Sequence, residues 1–142
     1  MNEHNKNELL DIWLTLTHFQ TKINDELEQA LQEQFDLSLK EFYVLNFISQ
    51  TEEKKLRLQQ LQDMVGLSQS AISRLVGRME AKNCGALQRH TCEDDRRGIY
   101  TCITELGEKK LQKALITFNE VLQSALLKDG LKSELQALIQ KL

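Results

Sequence analysis

The chain has 142 residues, 41% hydrophobic and 27% charged, a size and balance that suit one globular domain with enough apolar material for a core. It holds no proline and only six glycines, which favours long uninterrupted helices over a strand-and-turn architecture. No apolar run reaches membrane-spanning length, the N-terminus lacks the regions of a secretory signal, and three cysteines, an odd number, argue against a disulfide framework; a cytoplasmic protein is expected.

The net charge of −3 is unevenly spread. Met1 to Phe35 holds two basic against seven acidic residues, whereas Ser68 to Arg97 holds six basic against four acidic. A local basic excess attracts phosphate despite an acidic far side, because screening confines fields to about 10 Å.

From about Asn5 to Phe35, Leu9, Ile12, Leu16, Phe19, Ile23, Leu27 and Ala30 alternate spacings of three and four. That heptad-like seam predicts one long amphipathic helix, with Asn5 as cap and Glu8 three residues on. A helix of this length is more than a 142-residue monomer covers, so a second copy is expected against it.

Ser38 and Glu41 then form a capping box, with Leu37 and Phe42 as hydrophobic staple. They open a helix whose buried side carries Phe42, Leu45 and Ile48. Thr51 to Lys55 reads as a polar turn. Leu56, Leu58, Leu61 and Val65 describe a short helix ending in a Gly66 C-cap.

Ser68 follows as an N-cap for a helix expected to run to Lys82. Ile72, Leu75, Val76 and Met79 form its buried stripe. Facing away are Gln69, Ser70, Ser73, Arg74, Gly77, Arg78 and Lys82. Short helix, glycine turn and capped second helix follow helix-turn-helix grammar, and short polar side chains followed by arginines suit a helix entering the major groove of DNA. Gly77, costly inside a helix, is read as room for a close phosphate backbone.

Ala86–His90 and Ile99–Ile103 read as strands flanking a charged tip, a β-hairpin wing. Arg96 and Arg97 at that tip are suited to a narrow minor groove, with one of Glu93, Asp94 and Asp95 holding an arginine in place. Thr104 caps the next helix, with a seam at Leu111, Leu115, Phe118, Leu122 and Ala125. Lys128–Gly130 breaks it, and a last helix carries Leu131, Leu135, Leu138 and Leu142.

At this point the chain resembles the multiple-antibiotic-resistance regulator (MarR) family of winged-helix transcription factors. The resemblance rests on Leu61-x-x-x-Val65-Gly-Leu-Ser68, Ser70-Ala-Ile-Ser-Arg-Leu-Val76, Arg78-Met-Glu80, Asp95-Arg-Arg97 and Ile103-Thr-Glu-Leu-Gly107. It implies a mainly α fold with a small β-hairpin wing, in a single domain of residues 1–142. A winged helix-turn-helix lobe over 37–103 would lie between dimerisation helices at 5–35 and 104–142. It implies a homodimer on a pseudo-palindromic double-stranded DNA operator, usually a repressor, released by a small aromatic or phenolic effector bound between the dimerising helices and the lobe. The implied DNA-binding set is Ser68, Gln69, Ser70, Ser73, Arg74 and Arg78 toward the major groove, and Asp95 orienting Arg96 or Arg97 in the minor groove. Three features depart from the pattern: Gln62 in place of a small alanine, Asn83-Cys84 lengthening the turn before the wing, and, against the peroxide-sensing branch with its reactive cysteine in the first helix, no cysteine before Cys84.

Cys84, Cys92 and Cys102, with His90, lie near the wing and define an alternative redox- or metal-responsive reading. Their spacing is not a zinc pattern, and scattered reduced thiols are preferred. No phosphate loop, nucleophile elbow or paired carboxylate–histidine arrangement appears, so neither enzyme activity nor a cofactor is expected. His18 reads as a solvated or core-edge histidine. A helical protein-interaction module without DNA binding is the remaining alternative; salt dependence of DNA binding separates the two.

Overall fold

The computed structural model describes residues 2–81, 85–91 and 99–141 (backbone only for 2–7, 91 and 129). Helix α1 spans Asn2–Phe35, α2 Leu39–Ser49, α3 Leu58–Val65, α4 Gln69–Glu80, α5 Glu105–Leu127 and α6 Leu131–Lys141. Strands β1 (Lys55–Arg57), β2 (Leu87–Thr91) and β3 (Ile99–Ile103) form an antiparallel sheet in the order β1-β3-β2. The fold is the expected one, mainly helical with a small sheet. Among the described residues no helix is long and apolar enough to cross a membrane.

Several element ends differ from expectation. Asn5 lies inside α1, which begins by Asn2, because no proline or glycine upstream interrupts the helix. Leu56 is not on the short helix but in β1, paired with Thr101 of β3. Arg57 then takes the N-cap position of α3, its N–H donating to the Gln60 side chain at 3.0 Å. In β2 the pairing runs one residue later than expected, from Leu87↔Ile103 to Thr91↔Ile99. Helix α4 ends at Glu80, since Ala81 is extended; Lys82 lies outside the described residues.

The caps follow their sequence signals. Ser38 Oγ accepts from Glu41 N at 3.1 Å, and Glu41 accepts from Ser38 N at 2.8 Å. Gly66 turns left-handed at φ 74°, a conformation that glycine adopts without a Cβ penalty, and the N–H groups of Gly66 and Leu67 both reach the Gln62 carbonyl.

The core gathers where α2, α3 and α4 meet the lower half of α1 and the first half of α5. Leu31, Leu37, Val44, Leu45, Ile48, Leu61, Ile72, Val76 and Met79 are fully buried there. Phe42 stacks on Phe118 of α5 with ring centroids 4.7 Å apart, and Tyr43 meets the same ring edge-on at 6.2 Å. Thr117 of α5 donates to the Gln34 side chain of α1 at 3.0 Å. The long helices therefore pack on each other within one chain over part of their length. The seam is open at Leu9 and Leu115, which are exposed, whereas Ile12 and Ala125 on it are buried; Leu10, Trp13, Leu14, Ile116, Leu127 and Ile139, off the seam, are exposed as well.

The sheet is rooted on α5 by one junction. Thr104 caps α5, accepting from Gly107 N at 3.0 Å. Its hydroxyl points at the carbonyls of Gly85 (2.6 Å) and Ala86 (3.0 Å), while its N–H donates to Ala86 O at 2.9 Å. A Cβ at position 107 would lie 2.2 Å from that Ala86 oxygen, so only glycine lets the first turn of α5 come this close.

Candidate nucleic-acid interface

Helix α4 is held from one side. Ile72, Leu75, Val76 and Met79 are buried and fix its rotation about its own axis, because each sits on the same 3.6-residue stripe. Ser68 caps its start, accepting from Ala71 N at 3.2 Å. Gln69, Ser70, Arg74 and Arg78 are exposed on the other side, while Ser73 and Gly77 are only half exposed. Arg74 Nε lies 3.4 Å from the Ser70 carbonyl, which keeps the guanidinium along the helix. The Ser68 and Ser70 hydroxyls are 3.3 Å apart. These short donors and acceptors lie near the helix start, and the two exposed arginines one and two turns further on.

The acid of α4, Glu80, is withdrawn from that surface. Its carboxylate forms an ion pair with Arg89 of β2 and accepts the Arg89 backbone N–H at 3.3 Å. Arg89 Nη2 also donates to the Ser73 carbonyl at 3.1 Å. One side chain thus ties the strand to the middle and the end of α4. The signal for Arg89 in the sequence is strand alternation: Arg89 shares a face with the buried Leu87, while Gln88 and His90 are exposed. Gly77 lies beneath the Arg89 guanidinium. A Cβ there would stand 3.4 Å from Arg89 Nη2, an ordinary contact, so this neighbour does not by itself require glycine.

At the free edge of the sheet, Lys55 Nζ stands 4.6 Å from the centre of the Tyr100 ring, a cation–π arrangement. Arg57 Nε donates to the Tyr100 hydroxyl at 3.2 Å. This adds two cations on the wing's base, which the sequence hides because Lys55 ends a polar stretch with the marks of a turn and Leu56 opens a helical spacing. Asp95, Arg96, Arg97, Cys84 and Cys92 lie outside the described residues. Cys102 is half-buried opposite Lys55 in the ladder. Burial pushes its thiol above the ordinary range, partly offset by the Lys55 charge, the reverse of what an activated thiolate needs. His18 is exposed. Among the described residues no three histidine, cysteine or acidic side chains converge as a metal site.

Residues 35–98 match the model of the MarR family. Among solved structures, AbsC, a MarR family transcriptional regulator from Streptomyces coelicolor, is 27% identical, with a TM-score of 0.74 over 88% of this chain and 84% of that one. The transcriptional regulator BldR from Sulfolobus solfataricus has 24% identity and a TM-score of 0.76 over 94% of both chains. A mutant E. coli MarR complexed with operator DNA has 20% identity and a TM-score of 0.72 over 95% of both. The last two likenesses are of fold. No curated protein matches the sequence.

Proposed function

We propose that this chain, whose residues 35–98 match the MarR family model, is a sequence-specific DNA-binding regulator of that family, a repressor that acts as a homodimer on a pseudo-palindromic operator. The observation that carries this reading is the outer surface of α4. It presents Gln69, Ser70, Arg74 and Arg78 with no acid among them, and its one carboxylate is neutralised by Arg89. Such a surface offers hydrogen-bonding groups to base edges and positive charge to phosphates. Arg96 and Arg97 at the wing tip, oriented by Asp95, take the adjacent minor groove, and Ser68 and Ser73 lie at the margin of the α4 contact. Two relatives in fold were solved with DNA, one of them with operator DNA.

Dimerisation rests on the exposed apolar side chains on and beside the seam. Trp13 is 67% and Ile139 65% exposed, and Leu122, Leu126, Leu127, Leu135 and Ile139 line an apolar groove between α5 and α6. An apolar surface of this kind calls for a partner, and a two-fold dimer pairs identical patches. A small aromatic or phenolic effector then lowers DNA affinity by favouring a dimer geometry in which the two α4 helices no longer fit successive major grooves.

The test is a gel shift on the DNA upstream of the protein's own gene, titrating salt and a phenolic carboxylate. With about four phosphates neutralised per subunit, log K falls with log salt at a slope near −7. Arg74→Ala relaxes base preference as well as weakening binding. A protein that is monomeric in light scattering, or that binds no DNA above non-specific affinity, overturns the reading.

A further inference from the structure

A cavity of about 240 Å³ lies between the start of α2 and the flank of α4. Its rim carries Ser38, Lys40, Arg74 and Arg78, and Leu67 and Leu75 also line it. The residues lining it include three cations and no acid. Lys40, Arg74 and Arg78 are exposed. Lys40 is not left to wander: its ammonium donates to the carbonyl of Val65, the last residue of α3, at 3.0 Å. That bond parks Nζ over the turn between α3 and α4. An ammonium has three donors, so one bond to Val65 leaves donors for a further acceptor.

We propose that this groove seats one backbone phosphate of the DNA strand flanking the major groove that α4 enters, with Lys40 as its principal ligand and the two arginines as its opposite wall. The inference rests on the DNA-binding reading and deepens it by adding an anchoring contact from outside α4. A phosphate is the fitting occupant because it is anionic and small and presents several acceptor oxygens to cations converging from two helices. A contact of this kind fixes the register of α4 along the duplex without reading a base.

The competing role for Lys40 is to cap the C-terminus of α3, and salt dependence tells the two apart. In the full-length dimer, Lys40→Gln removes one phosphate contact per subunit, so the slope of log K against log salt becomes shallower by about 1.8. The loss is equal on operator and on scrambled duplex, and Lys40→Arg restores the slope. An unchanged slope in Lys40→Gln, with the wild-type protein still binding steeply, overturns the phosphate seat and leaves the DNA-binding reading standing. A loss in Lys40→Arg as large as in Lys40→Gln also overturns it, because charge is then not what matters. A wild-type protein without salt-dependent binding sinks the DNA-binding reading itself.

Discussion

Gly107→Ala is expected to be the most damaging single-methyl change in the described chain. The added Cβ would lie 2.2 Å from the Ala86 carbonyl oxygen and 2.9 Å from Ile103 Cγ1, so a shift of roughly 1 Å is needed to reach tolerable contact. Ala86 O cannot simply withdraw, since it accepts from both the N–H and the hydroxyl of Thr104. Moving α5 instead loosens the Thr104 cap on Gly107. Overpacking costs about 1–3 kcal/mol and a weakened cap about 1 kcal/mol, together about 3 kcal/mol. For 142 residues the entropy of unfolding is roughly 0.3 kcal/mol per kelvin, which places the fall in Tm near 10 °C. Melting is followed by circular dichroism at matched protein concentration, because dimerisation makes Tm concentration-dependent. Gly66→Ala is the comparison: nothing lies within 4 Å, but φ is +74°, so only backbone strain of about 1 kcal/mol applies and Tm falls by roughly 3 °C. If Gly107→Ala melts within 2 °C of the unmodified protein, or no lower than Gly66→Ala, the close-approach account is refuted.

Arg89→Met strips Glu80 of its ion pair and frees the Ser73 carbonyl, costing about 2–3 kcal/mol. Adding Glu80→Gln should recover part of that loss in a double-mutant cycle; strictly additive losses would dismiss the clamp. Thr101→Val should raise stability by about 1 kcal/mol, because the fully buried Oγ1 has no hydrogen-bond partner among the described residues; a lower Tm would show that the hydroxyl is satisfied after all. In a Cys84→Ser/Cys92→Ser background, Cys102 should alkylate at pH 8 more slowly than a free thiol, since burial raises its pKa. The linked effect on stability follows the sign of that shift. Above about pH 9 the unfolded chain ionises first while the fold keeps its proton, so stability falls as pH rises; labelling as fast as that of a free thiol would refute both.

Features set by neighbours in sequence were the legible ones. Ser38 with Glu41, Ser68, Gly66 and Thr104 announce helix ends because each closes a hydrogen bond within four residues of itself, and the stripe from Ile72 to Met79 announces its buried side. What depended on distant partners stayed hidden. Lys55-Leu-Arg57 becomes a strand only because β3 arrives from more than forty residues away. Arg89 looks like one more wing cation until it meets Glu80 and Ser73. Lys40 looks like a solvated helix residue until α3 ends beside it. Gly107 belonged to a motif whose physical reason, a carbonyl pressed against a helix, is not visible in one dimension.

Helix α5 touches the root of the wing, α2 and α1 along one continuous length. Its first turn grips the root of the wing through Thr104 and Gly107, its middle stacks Phe118 on Phe42 of α2, and Thr117 ties it to α1. At 23 residues it is about 34 Å long, a stiff shaft with neither proline nor a mid-helix break. Swinging it by roughly 10° about its midpoint carries each end by about 3 Å, the length of a hydrogen bond. If the shaft pivots as a rigid rod, a displacement imposed at its α6 end would reach the foot of the hairpin with similar amplitude.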